Sequence, residues 1–182
     1  MLAYRDGDSR AFESLYTRHK SPLYRYLVRQ CREPAVAEEL FQDVWMNLIR
    51  ARTRYEVQAR FTTYLYRLAH NRLIDHYRRG RSGIPVSYDD DPDDPLIERL
   101  AGPAAMRPDV QAGRTQDVQR LFALLAALPE AQREAFLLRE EAGLTLEEIA
   151  AATGVATETA KSRLRYAVAK LREGMESEDA TP

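Results

Sequence analysis

Apolar positions recur every three or four residues along most of the chain, which predicts helix after helix. Phe12, Leu15, Tyr16 and His19 share one face behind Asp8 and Ser9, both competent N-caps. Ser21-Pro22 reads as a fresh start, a cap followed by proline at the first helical position. Leu23, Leu27, Val28 and Cys31 line the helix it would open. Pro34 restarts the pattern, and Ala37, Leu40, Phe41, Val44, Trp45, Leu48 and Ile49 make an unbroken stripe. A further helix is predicted from Phe61 to Arg79, with Leu65, Leu68, Ala69, Leu73 and Tyr77 inward. No segment alternates as a strand does.

The C-terminal part repeats the logic. Val118, Leu121, Phe122, Leu125 and Leu128 form a stripe ended by Pro129. Arg133 to Ala142 reads as a helix stopped by Gly143. Thr145-Leu146-Glu147-Glu148 is a capping box opening a short helix through Ala152, and Gly154 supplies a turn. Thr157 then caps a last helix to about Glu173, with Ala160, Leu164, Ala167 and Leu171 inward. A short helix, a glycine turn and a basic helix make a helix-turn-helix.

The formal charge of the 182 residues is -1, which on its face argues against a nucleic-acid partner. Divided along the chain it says the opposite. Residues 1–80 carry 15 basic and nine acidic side chains, a net of +6. Residues 81–113 carry three and seven, a net of -4, and residues 114–182 carry nine and 12, a net of -3. The middle stretch also holds five of the nine prolines and the run Asp89 to Asp94, a composition that suits a disordered acidic linker. The expected organisation is all-α: two small helical domains, 1–80 and 114–182, joined by a flexible acidic Pro-rich linker over 81–113. Nine arginines stand between Arg50 and Arg81 against two acids, and Lys161 to Arg172 holds five basic residues and no acid. These are two compact basic surfaces on two tethered units.

Composition removes several classes. One cysteine, Cys31, excludes an intrachain disulfide framework, and its place in an apolar stripe reads as core. With His19, His70 and His76 scattered, it argues against a four-ligand zinc site, so neither metal nor cofactor is expected. The N-terminus has no apolar signal segment, and the longest apolar block, Leu121 to Leu128, is eight residues. The expectation is a cytoplasmic protein without membrane insertion. There is no phosphate-binding glycine loop and no catalytic set, so the chain reads as no enzyme and as having no small-molecule substrate. His70 and His76 lie too far apart around one helix to share a ligand, and the histidines read as structural or surface groups.

Two constellations point to nucleic acid. On the last helix, Lys161 and Arg165 lie one turn apart with Ser162 and Tyr166 beside them. Such groups bond base edges or phosphates. In the helix from Phe61, the aromatics Phe61, Tyr64, Tyr66 and Tyr77 interleave with Arg67, Arg72, Arg78 and Arg79. Aromatics stack on bases while arginines track phosphates. Phe61 and Tyr77 suit the core, and Tyr64 and Tyr66 cannot both face inward. The outward residues of the Ala37–Ile49 stripe, Glu38, Glu39, Gln42, Asp43 and Asn47, form an acidic, polar face suited to a basic partner.

These blocks together resemble a bacterial RNA polymerase sigma factor of the extracytoplasmic-function type. The first is Gly7 to Tyr16. The second is Ala37 to Trp45, followed by Phe61 to Asn71 and Ile74 to Arg79. The third is Leu128-Pro129, Gly143 to Ala150 and Thr159 to Leu164. The resemblance implies a transcription initiation factor that directs core polymerase to promoters. The first domain would be sigma region two and the second region four. Glu38, Glu39, Gln42, Asp43 and Asn47 would dock on the β′ coiled coil, and core polymerase would be met through its β′ and β subunits. The loop Tyr55 to Arg60, with Phe61, Tyr64, Arg67, Asn71 and Arg78, would meet the minus-ten element, where the duplex is opened and a base flipped. Lys161, Ser162, Arg165 and Tyr166 would read the minus-thirty-five element. The linker would thread the polymerase cleft, and an anti-sigma factor is an expected partner. The family usually has tryptophan at the place of Tyr64, and often arginine at those of Tyr166 and Val168. The rival reading is a stand-alone homodimeric helix-turn-helix regulator. The near-neutral total suggests weak DNA binding by the free chain.

Overall fold

Asp8 starts the first long helix: its carboxylate accepts from the backbone N–H of Arg10 at 2.9 Å and of Ala11 at 3.3 Å. The computed structural model describes residues 1–80 and 114–176. In chain order these form α1 (Leu2–Arg5), α2 (Ser9–Cys31), α3 (Pro34–Arg50), a 3-10 turn (Arg52–Arg54) and α4 (Phe61–Gly80). After 81–113 follow α5 (Arg114–Ala127), α6 (Glu130–Glu140), α7 (Leu146–Thr153) and α8 (Thr157–Glu176). The fold is all-α, with no strand among the described residues. The acidic linker of the sequence reading lies outside them.

The expected break at Ser21-Pro22 is absent, and α2 runs straight through it. Pro22 removes one helix hydrogen bond and crowds the preceding turn, at about 3 kcal/mol. The next two turns bury Leu23, Tyr26, Leu27 and Gln30, and that burial outweighs the local cost. The helix ends instead at Arg32, a left-handed residue (φ 64°) whose N–H reaches Val28 O at 2.9 Å.

α3 packs on α2 and α4. Its stripe is buried from Ala37 to Leu48, but Ile49 is 37% exposed, a correction to the predicted core. A straight 3.6-residue helix rotates a 3-4 repeat off its seam by the last turn. Trp45 anchors this half: its ring meets those of Tyr16, Phe12 and Phe41 at centroid distances of 4.9, 5.8 and 6.2 Å. α4 buries Leu65, Tyr66, Ala69 and Leu73, while Leu68 and Tyr77 are partly covered. Of the tyrosine pair, Tyr66 is the inward one, edge-on to Tyr26 at 5.2 Å. Phe61 and Tyr77 pack against the core as expected from sequence.

In the second half, α5 departs from the expected stripe. Leu125 and Leu128 are buried, but Val118 and Phe122 are exposed, and Phe122 carries the guanidinium of Arg29 from α2 at 4.8 Å. α6 starts directly behind Pro129, three residues before the predicted Arg133. The capping box is formed: Glu148 N–H donates to Thr145 Oγ1 at 3.2 Å and Thr145 N–H to Glu148 Oε2 at 2.9 Å. Gly143 and Gly154 sit at φ 64° and 72°, where a Cβ would strain the turn. Thr157 is the first residue of α8 instead of its cap, and the helix runs to Glu176. Its inward face is Ala160, Ala167 and Leu171, joined by Arg163, which the periodicity left unassigned.

The two halves touch. α7 lies against α4, and α6 against α2. Sequence periodicity carries no information on this contact, because each half satisfies its own stripes.

Leu27→Ala should lower unfolding free energy by about 2–5 kcal/mol in urea titrations, since Leu27 is wholly buried between helices. Burial pushes the Cys31 thiol up to about 12. An ordinary thiol near 8.5 holds roughly a thousandfold more thiolate at pH 8. Cys31 should therefore react far more slowly with iodoacetamide in the folded chain than in urea. Its contribution to stability is complete below the unfolded pKa and is lost as pH rises through the folded one.

Candidate nucleic-acid interface

The 3-10 turn and the loop 55–60 fold back over the start of α4 and leave a cleft of about 160 Å³. Arg54, Tyr55, Gln58, Thr63, Tyr64 and Arg67 line it. Tyr55 is buried and Tyr64 half-buried, with their rings edge-on at 5.1 Å. Burial raises both phenols above their ordinary range, while the nearby Arg67 guanidinium pulls that of Tyr64 back. Both stay neutral hydroxyls at physiological pH. Arg67 stands 6.0 Å over the Tyr64 ring. Thr63 Oγ1 is buried in this wall with no hydrogen-bond partner among the described residues. The arrangement is an aromatic slot with cationic rims, a shape and charge that take a flat aromatic group tied to an anionic backbone.

Arg60 is exposed at the mouth, and Phe61 is half-buried, 5.2 Å from the His19 ring. Asn71 and Arg78 are exposed further along α4. Of the seven residues assigned to minus-ten DNA, the cleft gathers Tyr55, Tyr64 and Arg67. Phe61 serves the core, and Arg78 lies more than three turns of helix from Tyr64.

On α8, Lys161, Arg165 and Tyr166 are exposed and Ser162 half-buried. Arg165 stacks on Tyr166 at 5.0 Å, Ser162 Oγ donates to Glu158 O at 2.9 Å, and Lys161 approaches Glu158 at 3.5 Å. Val168 extends this face with an exposed apolar group. On α3, Glu38, Glu39 and Gln42 are exposed and Asp43 and Asn47 half-buried. Gln42 Nε2 donates to Glu38 Oε1 at 3.1 Å. Met46, 45% exposed, and Ile49 flank them, so the polar face has an apolar edge that the sequence reading assigned to core or passed over.

A third cluster was missed. His70, read from sequence as a structural or surface group, is buried in this cluster: its Nδ1 lies 2.8 Å from Glu134 Oε1 on α6, and Tyr26 Oη donates to the same oxygen at 2.7 Å. Beside it Arg133 reaches Gln30. The available signal was spacing: Arg133 and Glu134 precede the buried Leu137 and Leu138 by one turn and so share their inward face. Among the described residues no His/Cys/Asp/Glu group could hold a metal, and no helix is long and apolar enough to cross a membrane.

Sigma-70 region 2 matches residues 15–83 and Sigma-70, region 4 matches residues 124–173. RNA polymerase sigma factor CarQ of Myxococcus xanthus is 33% identical, over 95% of this chain and 94% of its own length. The ECF RNA polymerase sigma factor RpoE of Cereibacter sphaeroides is 30% identical over 96% and 92%. Among solved structures, the sigma factor RpoE bound to the anti-sigma factor NepR from Bartonella quintana shares the fold (TM-score 0.69, 24% identity, 92% of this chain and 98% of that one). CnrH in complex with the cytosolic domain of CnrY does so at TM-score 0.67 and 20% identity, over 97% of this chain and 95% of that one. The chain belongs to the sigma-70 family, as a sigma factor of the extracytoplasmic-function type. Its function is to direct RNA polymerase to promoters, and the rival homodimeric regulator has no support.

Proposed function

We propose that the three surfaces divide initiation among them. The acidic face of α3, with Met46 and Ile49 at its edge, docks on the β′ coiled coil. The cleft between Tyr55 and Tyr64 takes a flipped minus-ten base, with Arg54, Arg60 and Arg67 on the displaced strand. The exposed face of α8 reads the minus-thirty-five element through Lys161, Ser162, Arg165 and Tyr166. Asn71 and Arg78 continue the minus-ten contact along α4. Residues 1–80 and 114–182 act as the two reading units, with 81–113 spanning polymerase between them. No reaction is catalysed; the chain works in the cytoplasm, beside polymerase and DNA. An anti-sigma protein is the expected inhibitor, since the structurally similar RpoE was solved in complex with the anti-sigma factor NepR.

The observation that carries the reading is the slot itself. Two tyrosines set edge-on at 5.1 Å line one cleft together with Arg54 and Arg67. The test is reconstitution with core polymerase on a promoter selected for this protein. Tyr64→Ala should cut open-complex formation by roughly 5- to 160-fold, matching about 1–3 kcal/mol for one stacked base. Permanganate reactivity at the minus-ten element should fall while protection of minus-thirty-five persists. Arg165→Ala should do the reverse, weakening minus-thirty-five protection by about 1–3 kcal/mol. Unchanged footprints in both variants would refute the assignment.

A further inference from the structure

The motif block that opens at Gly7 has no part in the three surfaces, and the residues just before it form a helix that should not stand alone. Leu2 to Arg5 make a single helical turn of four residues, far short of the ~12–15 at which a helix holds by itself. Its order comes from what it touches. Gly7, at φ 111°, turns the chain so that Asp8 N–H reaches back to Ala3 O at 2.9 Å. α1 is thereby laid on α2 and on the 3-10 turn. Tyr4, 8% exposed, meets the Phe12 ring at 5.0 Å. The guanidinium of Arg52, in the 3-10 turn, stands 5.3 Å from the Tyr4 ring. Arg5 Nη1 donates to Tyr55 O at 3.4 Å, across 50 positions of sequence.

We infer that α1 is a brace for the minus-ten slot, in which Tyr4 and Arg5 are positioning residues that set where Tyr55 stands against Tyr64. The inference rests on the slot assignment above. Its own support is where the contacts of α1 end. Arg52 leads through the 3-10 turn directly into Tyr55, and Tyr55 is the residue whose carbonyl Arg5 holds. The loop that follows cannot fix itself: among the described residues, Glu56 to Ala59 take no part in backbone-to-backbone hydrogen bonds. A segment with so little bonding of its own moves unless its ends are held.

Core filling alone would account for Tyr4 but not for Arg5. The Arg5 side chain is 37% exposed, yet its guanidinium is aimed at Tyr55 O and steadied by Asp6 Oδ1 at 2.8 Å. The Asp6 carboxylate raises the Arg5 pKa through that bond and its charge, and Glu56 of the loop adds to the effect. The cation thus stands between α1 and the loop it holds. Such a brace matters to base capture because a loop ordered beforehand spares the complex the entropy of ordering it on binding. The two residues reach the slot by different routes, Tyr4 through a side chain and Arg5 through the backbone, so each can be removed separately.

The experiment uses the full chain as wild type, Arg5→Ala, Tyr4→Leu and Tyr4→Phe, with Tyr64→Ala alongside. Tyr4→Phe keeps the ring face under Arg52 and is the conservative control. If buried Tyr4→Leu fails to fold, exposed Arg5→Ala carries the test. Backbone NMR order parameters of residues 52–60 read the loop in the free chain. Permanganate reactivity at minus-ten and protection of minus-thirty-five are read with core polymerase bound. Arg5→Ala and Tyr4→Leu should lower order in 52–60 and cut minus-ten opening by roughly two- to thirteenfold, the worth of one hydrogen bond. Protection of minus-thirty-five should hold, and Tyr4→Phe should match the wild type. Unchanged order parameters in Arg5→Ala, or a parallel loss at both promoter elements, would overturn the brace and leave the slot assignment standing. If order falls in the variants while Tyr64→Ala leaves minus-ten opening intact, the slot assignment fails and the brace on the loop holds.

Discussion

Two neighbouring residues on one turn of α6 are charged and sunk between the halves, and a buried charge is tolerated only where it is matched. Arg133 finds its match in Gln30 and in the carbonyls of Leu128 and Ala126; Glu134 finds its match in Tyr26 and His70. Much else follows from this. Tyr26 and Gln30 must be buried on α2, in the turns that follow Pro22. His70 must face inward from α4, which sets the rotation of the helix that carries Arg67, nearly one turn away, and Tyr64, nearly two turns away, at the cleft. Once α6 is seated on α2, the short connection to α7 brings that helix onto α4.

Charge is sorted with equal economy. The half with the acidic α3 face also carries the arginines of the 3-10 turn and α4, so attraction to polymerase and to DNA comes from separate elements of one unit. In α8 the bases are exposed apart from Arg163, which is folded inward. The near-neutral total of the chain therefore conceals a polarised surface, which steers partners over distances of about a Debye length. Some of that field is spent internally, as in the Arg60–Glu148 and Arg25–Glu141 pairs.

Most of the fold was legible along the chain. The period of Ala37 to Leu48, the proline at the head of α3, the Thr145–Glu148 box and the glycines at 143 and 154 are local signals, and each acts through its own backbone. The failures were local signals overridden from a distance. Ser21-Pro22 looks like a helix start because proline suits that place, yet tertiary burial of the following turns carried the helix through. Val118 and Phe122 keep helical spacing but stay exposed, Phe122 meeting the guanidinium of Arg29 in place of an apolar core. Of the candidate site, the basic faces were visible as composition, while the individual residues came from a family resemblance. The pairing of Tyr55 with Tyr64 required the loop to fold back, which no spacing encodes.

The amino-acid pattern by itself determined an all-α chain of two amphipathic units and the side each turns outward, because helix period, caps and charge segregation are properties of short windows. It also identified the family through motif blocks in order. Only the tertiary structure decided how the halves meet. His70 and Glu134 stand 64 positions apart and Tyr26 and Glu134 108 apart. Their partnership depends on the geometry of two finished helical units, and a polar side chain in sequence carries no mark of the partner that will satisfy it.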